Sequence, residues 1–594
     1  MISSFPPGAI LILGSLLVPV FRGKWKSFYL LALPVLSFLN LLYWDPGQSL
    51  AVNFLGYHLV LARLDRLSLL FGYIFHLISF LGLLYALNIQ NDLEHSAALV
   101  YAGSALGAVF AGDLISFFLF WEMLTVSSVF LIWSRGTIKS IYSGFRYLLV
   151  HAAGGLCLLA GIVIHVTKTG SIAFSYIGLN DLGSLLIFLG FGLNCAWPLL
   201  HPWLTDSYPE ATIPGAVFLS AFTTKTAVYA LARGFPGTSI LIWIGAVMTC
   251  FPIFYAVIEN DLRRVLSYSL INQVGFMVCG IGIGTELAIN GAVSHAFNDI
   301  LFKALLFMSI GAVMYRTGRV NATDLGGLYK TMPLTCIFCM VGAASISAFP
   351  LFSGFVSKSM VMEAAADGNM RLIWFMLLFA SAGVFHHAGI KIPFFAFFSH
   401  DPGIRTKEAP WNMLLAMGIT AGLCIFIGSV PGPLYSLLPY PVNYTPYTTS
   451  HVLGQTQLLF FSSLAFTLLI LSGIYPSEIR AINLDFDWVY RKGSALFVRC
   501  VIWFFDTLRN CSGGVLSRGI LPVLNQVGKD GLARAALLFM VTYWMLTGTR
   551  GKRLEMRKTR LYNDIVRGTL PAGLGAGIAT LFIIVLFLLM EPWR

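Results

Sequence analysis

An all-α polytopic membrane protein is the fold class this sequence predicts, on three observations. Of its 594 residues, 57% are hydrophobic and only 11% charged, whereas soluble domains are about 45–50% apolar. Apolar runs of about 18 residues or more recur along the chain, each long enough to cross a hydrocarbon core of about 30 Å as a helix. Basic residues also alternate between loops. Arg22, Lys24, Lys26, Arg135, Lys139, Arg146, Arg263, Arg264, Arg316, Arg319, Lys330, Arg405 and Lys407 fall in one set, against Arg63, Arg66, Lys168, Arg233 and Arg371 in the other. That bias marks a cytoplasmic side. A β-barrel would instead show short alternating segments.

The runs start near residues 8, 27, 67, 96, 114, 146, 184, 214, 239, 265, 287, 333, 372, 411, 455 and 572, about sixteen helices. The first, MISSFPPGAILILGSLLVPVF, lacks the basic n-region of a cleaved leader and reads as a span. Two segments are broken by proline and glycine in the same way: NCAWPLLHPWLTDSYPEATIPG from Asn194 and SISAFPLFSGFVSK from Ser345. They lie five spans apart, so they cross in opposite directions, the signature of inverted repeats whose interrupted helices line a transport site. The expected organisation is N-terminal helices over 1–95, a first repeat over 96–235, a second over 236–400 and two further helices over 401–477. From 478 to 570 the apolar pieces are short and flanked by Arg and Lys, the pattern of an amphipathic arm along the cytoplasmic face. Residues 571–594 form a last span.

A net charge of +12 does not imply nucleic acid here, because Lys and Arg collect beside bilayers. The CxxC at Cys336 and Cys339 lies in an apolar run without neighbouring ligands and reads as packing, not as a metal site. The Gly573, Gly575, Gly577 run is inside a membrane segment with no preceding strand, so it is helix packing and not a dinucleotide loop. No site for nicotinamide, flavin, haem or iron–sulfur is visible, and no cofactor or metal is expected.

What stands out is charge in oil. Glu122 sits mid-span in FFLFWEMLTVSSVFL, and Lys225 is equally embedded in SAFTTKTAVYAL. His295, Asp299 and Lys303 follow at spacings of four in SHAFNDILFKALLFMSIGAV, where Lys303 is expected to pair with Asp299 one turn earlier. An ionisable group at the bilayer centre costs about 2.5–3.5 kcal/mol on insertion scales and is a functional hypothesis by default. Groups stepping about 6 Å along a helix with water between them can hand a proton along. Lys358, ending the second broken segment, is the next station. His151, His201 with Asp206 and Glu210, and Lys391 with His386 and His387 are weaker candidates, each also explained by packing, capping or snorkelling.

At these residues a resemblance appears. The strings FWEMLTVSS, HPWLTDSYPEA, TTKTAVYAL, DLRRVLSYSLINQVGF, HAFNDILFKALLFMSIGAV and FPLFSGFVSK resemble, in order, the antiporter-like subunits shared by respiratory complex I and Mrp-type cation/proton antiporters, closest to the D-type Mrp component. The resemblance implies about fourteen core helices in two inverted five-helix repeats, with a charged axis across the membrane midplane. By position it assigns Glu122 to the fifth-helix glutamate, Lys225 to the eighth-helix lysine, Lys303 to the eleventh-helix lysine and Lys358 to broken helix twelve. The tail resembles the lateral helix and closing span of the distal complex I subunit. One departure is Asn194, standing where the family usually has the lysine that pairs with the fifth-helix glutamate. Either Lys225 takes over that pairing, or the first repeat conducts differently, or it serves as scaffold.

The expected function is a proton-translocating subunit, with sodium left open, of a multi-subunit complex in the bacterial cytoplasmic membrane. Its expected partners are other membrane subunits and lipid. The rivals are a proton channel powering a redox or carbon dioxide-hydrating module, and a scaffold with vestigial charges.

Overall fold

The computed structural model describes residues 5–45, 47–54, 56–473, 483–511 and 551–568, with isolated positions 537, 541, 544 and 545. The expected last span over 571–594 and much of the expected arm lie outside the described residues. Contacts divide the chain into one unit over residues 1–483 and another over 484–594.

Among the described residues, eleven helices are long and apolar enough to cross a membrane, and three shorter apolar ones accompany them. The chain is a multi-pass membrane protein. It opens with α1 (Ala9–Ser15) and α2 (Gly23–Leu42). An antiparallel hairpin, β1 (Ser49–Phe54) and β2 (Tyr57–Arg63), follows, paired from Ser49 opposite Arg63 to Phe54 opposite Tyr57. This hairpin departs from a purely helical expectation: alternation in YHLVLAR and Gly56 at φ 81° supply strand and turn. Next come α3 (Arg66–Tyr85), α4 (Asp92–Phe110), α5 (Leu114–Trp133), α6 (Ile138–Thr169), α7 (Leu182–Asn194), α8 (Pro202–Ser207), α9 (Ile213–Ala221) and α10 (Thr223–Gly234). Then follow α11 (Ile240–Ile258), α12 (Leu262–Ile283), α13 (Glu286–Thr317), α14 (Pro333–Ile346), α15 (Ser353–Asp367) and α16 (Arg371–Val384). Beyond α16 two π-helical turns, Phe385–Ile390 and Phe394–Phe398, flank the short α17 (Lys391–Pro393). The unit closes with α18 (Trp411–Ser429), α19 (Gly432–Ser436) and α20 (Thr449–Leu471).

Local chemistry repeats along this order. Asp113 caps α5 and Asp261 caps α12, accepting backbone N–H groups of their first turns. Thr137 caps α6 and Thr285 caps α13; Gly170 and Gly318, both at φ 68°, close the same two helices. Asp113 bridges Ala173 and Asp261 bridges Asn321. The breaks match as well: Ala196 and Leu199 after α7 have φ of 57° and 71°, and Ala348 and Leu351 after α14 have 56° and 74°. At the second break Gly354 lets α15 approach α14, since a Cβ there would lie 1.9 Å from the Ser345 carbonyl oxygen.

The core sits around α13, whose membrane-length window is 94% buried. Helix α13 packs on α9, α12, α14, α15 and α18, so every side of it meets protein. That burial places its ionisable stripe away from both lipid and solvent.

In the second unit, α21 (Asp487–Cys511) and α22 (Lys552–Gly568) are described. In α22 Leu554 is buried while Glu555 and Lys558 pair at 2.7 Å on the outside, an amphipathic arrangement.

Candidate functional site

Three lysines, one aspartate and one histidine are buried together where α10, α12, α13 and α15 meet. Lys225, Asp299, Lys303 and His295 are 0% exposed and Lys358 1%. Buried charges are tolerated only when paired or hydrogen-bonded.

Lys225 stands at the start of α10, just after the chain kinks at Phe222. Its Nζ lies 2.6 Å from Asp299 Oδ2 and donates to the Ser220 carbonyl at 2.9 Å. The pair links the first broken region to the middle of α13. Asp299 therefore makes its close ion pair with Lys225 and not with Lys303, contrary to the one-turn pairing expected from sequence. Lys303 instead donates to Ser269 Oγ of α12 at 2.6 Å. The physical reason is burial: with protein on every side, residues four apart on α13 find different partners on different neighbours. Neither oxygen of Asp299 accepts a well-formed hydrogen bond among the described residues; the attraction is charge to charge.

His295 is held at both ring nitrogens, Nδ1 to Ser357 Oγ at 3.0 Å and Nε2 to Gln273 Oε1 at 3.1 Å. Lys358 donates to the Ile346 carbonyl at 3.0 Å, the last residue of α14, where the break leaves carbonyls free. Its ammonium also sits 5.1 Å from the Phe276 ring centroid, a cation–π contact. Sequence reasoning missed Ser269, Asn272, Gln273 and Ser357. Only their polarity inside apolar runs of α12 and α15 signalled them.

The first half is built differently. Glu122 is half-buried, its Oε1 has no hydrogen-bond partner among the described residues, and it lies against Gly155, where a Cβ would come within 1.9 Å of that oxygen. Lys225 does not take over its pairing, because Asp299 holds that ammonium. Counted from the capping threonines of α6 and α13, Gly155 stands where Lys303 stands and His151 where Asp299 stands. His151 is buried, stacked on Tyr147 at 4.0 Å and edge-on to Trp203 at 4.4 Å, with Nδ1 on the Tyr147 carbonyl. Asn194, the last residue of α7, is fully buried with neither amide atom hydrogen-bonded among the described residues.

The remaining candidates sit apart. His201 packs on Phe251 at 4.7 Å. Asp206 accepts from Nε and Nη2 of Arg146 at 2.7 and 2.9 Å, and Glu210 lies 3.2 Å from Arg135; this clamp fixes the base of the first break. His386 meets Phe466 edge-on at 5.0 Å. Lys391 donates to the carbonyls of Ala256, Val257 and Glu259 at 3.2, 2.6 and 2.7 Å. It caps the C-terminus of α11, where a cation is favoured by the helix dipole.

Among the described residues no cluster of three or more His, Cys, Asp or Glu side chains is arranged to hold a metal ion.

Residues 111–386 match the family model described as NADH:quinone oxidoreductase/Mrp antiporter, transmembrane. The chain is similar to hydrogenase-4 component B of Escherichia coli (strain K12), 26% identical over 61% of this chain and 62% of that protein. It is also similar to the A-type component of the Na(+)/H(+) antiporter of Alkalihalophilus pseudofirmus, 26% identical over 85% of this chain and 68% of that one. The A1-type component of the Na(+)/H(+) antiporter of Staphylococcus haemolyticus is 28% identical over 75% of this chain and 63% of its own length. The chain thus spans about two thirds of these curated relatives. Among solved structures it resembles a chain of the Mrp complex from Dietzia sp. DQ12-45-1b, with TM-score 0.62, 19% identity, and 73% of this chain and 92% of that one covered. It also resembles a chain of the membrane-bound sulfane sulfur reductase, an archaeal respiratory membrane complex, with TM-score 0.69, 23% identity, and 90% and 99% covered.

Proposed function

We propose that this chain, whose residues 111–386 match the family model described as NADH:quinone oxidoreductase/Mrp antiporter, transmembrane, translocates protons as one membrane component of a larger complex. The observation that carries the reading is the buried row Lys225–Asp299, Lys303–Ser269, His295–Ser357 and Lys358, laid across α10, α13 and α15 beside a broken helix. Titratable groups so far from water are costly and serve ion pathways more readily than stability. Each charge crossing the full membrane potential gains about 2.3 kcal/mol per 100 mV, comparable with the cost of holding a charge there.

The path runs through the half of the chain that holds Lys303 and Lys358. Gly155 takes the place of a lysine in the other half, which contributes Lys225 to the shared pair. The two halves are inverted repeats over 96–235 and 236–400. The complex resides in a bacterial cytoplasmic membrane.

A second reading couples the same path to electron transfer in a partner. It is favoured by the likeness to a respiratory sulfane sulfur reductase, which extends over 90% of the chain, and by hydrogenase-4 component B among the relatives. Proton flux into vesicles containing the purified complex tests the proposal. Lys303→Ala is expected to abolish flux while assembly persists; undiminished flux in that variant removes the proposed path.

A further inference from the structure

The amide chain behind His295 has a fixed polarity, and that polarity reaches the imidazole. Its far end is the Thr249 backbone carbonyl of α11, to which Asn272 Nδ2 is hydrogen-bonded. A carbonyl only accepts, so Asn272 turns its NH2 toward Thr249 and its Oδ1 the other way. That oxygen also only accepts, so Gln273 presents its Nε2, at 2.6 Å. Gln273 Oε1 is then left facing His295 Nε2 at 3.1 Å, and this nitrogen must carry the hydrogen. Asn272, Gln273 and His295 are all 0% exposed, and the rings of Phe276 and Phe302 stand at 6.0 Å from the imidazole. A rearrangement would leave a buried amide facing a like atom, at a cost of an unmade hydrogen bond.

The opposite nitrogen is free to change. His295 Nδ1 faces the hydroxyl of Ser357, which can donate to it at 3.0 Å or turn to the Ser353 carbonyl at 3.4 Å. A hydroxyl is donor and acceptor at once, so it serves the imidazole in both protonation states.

We infer that His295 takes up and releases its proton at Nδ1 alone, through Ser357, with Gln273 and Asn272 as positioning residues that lock the Nε2–H tautomer. The inference rests on the proposed translocation and names its local route. In uptake, the Ser357 hydroxyl proton passes to Nδ1 while Ser357 Oγ receives a proton from an ammonium or hydronium donor on the Lys358 side. The donor loses one positive charge, the imidazole gains it, and the serine ends as it began. In release Nδ1 returns its proton to Ser357 Oγ while the hydroxyl passes its own to a neutral amine or water other than the original donor, so the positive charge leaves on a different group and the serine again ends as it began. The Nε2 side leads only to the Thr249 carbonyl, so protons on His295 travel toward α15 and not toward α11.

The test uses the full chain, labelled with 15N-histidine, in lipid vesicles with the membrane subunits that purify with it. Solid-state 15N spectra report the tautomer, and the His295 signal among the chain's 11 histidines is identified by its loss in His295→Gln. Wild type should show a single Nε2–H form, and Gln273→Leu a mixture of both tautomers. Ser357→Ala should retain the Nε2–H form yet lose proton flux by on the order of tenfold or more, with Ser357→Thr, which keeps the hydroxyl, restoring it. A wild-type Nδ1–H tautomer, or a Ser357→Ala variant conducting as wild type does, overturns the inference. Absence of proton flux in wild-type vesicles, with the tautomer as expected, overturns the translocation reading and leaves the lock standing.

Discussion

Removing one partner of the Lys225–Asp299 pair is the most informative perturbation this molecule offers. Both side chains are 0% exposed and their charged atoms are 2.6 Å apart. At that distance and an effective dielectric constant of about 20, the attraction is about 6 kcal/mol. Against it stands a desolvation penalty of several kcal/mol per ion. On that balance the pair is expected to add little net stability, while either member alone is badly placed. In Lys225→Met the Asp299 carboxylate keeps its burial and loses its counter-charge, and in Asp299→Leu the ammonium does. Each single variant should lose about 3–5 kcal/mol. The double variant Lys225→Met/Asp299→Leu should recover most of that loss, since apolar side chains of similar volume can replace a buried pair. Denaturation midpoints of the four proteins in one detergent close the cycle, with proton flux measured alongside. A double variant no more stable than the worse single one would refute the pairing, and retained flux in the double variant would remove this pair from the path.

Three further expectations follow from other sites. Gly354→Ala should destabilise by about 1–3 kcal/mol through overpacking, because its Cβ would meet the Ser345 carbonyl oxygen; Gly422→Ala, with nothing within 4 Å, should be neutral or slightly stabilising, and equal melting of the two would refute the close approach. Lys391→Met should cost about 3 kcal/mol or more by leaving the carbonyls of Ala256, Val257 and Glu259 without their charged donor, read as a lower melting temperature. Asp401 lies in the loop before α18, where Arg405, then Lys330 and the Gly403 N–H, hold its carboxyl well below the ordinary carboxylate range. A depressed folded-state value means the clasp stabilises above the unfolded pKa of about 3.9 and is lost only as pH falls through the lower folded value. The melting difference between wild type and Asp401→Asn should therefore stay level from pH 7 to about pH 4 and shrink below it.

Much of the fold was legible because membrane helices announce themselves by length and apolarity, and because proline with glycine marked both breaks. The buried stripe of α13 was legible for the same reason: charges are conspicuous in apolar runs. Its pairing was not. The four-residue rule gave Asp299 to Lys303, yet a helix surrounded by protein offers each position a different neighbour, and Lys225 on α10 came closer. Neutral partners were also hidden. Ser269, which holds Lys303, and Gln273, which holds His295 with Asn272 behind it, carry no charge and so did not stand out as the ionisable groups did. The hairpin over Ser49–Arg63 was passed over because two adjoining spans dominate that region. Gly155 gave no sign either: an absent side chain becomes meaningful only when α6 is laid beside α13 and the glycine falls where a lysine stands.

Four residues with side chains occupy left-handed backbone at the two interruptions: Ala196, Leu199, Ala348 and Leu351. Each such placement costs about 1–2 kcal/mol relative to glycine, which would tolerate many alternative torsions there. A chain that needed a swinging joint would be best served by glycine at these points. The residues it carries narrow the accessible torsions instead, so the two interruptions act as set corners of the backbone and not as joints.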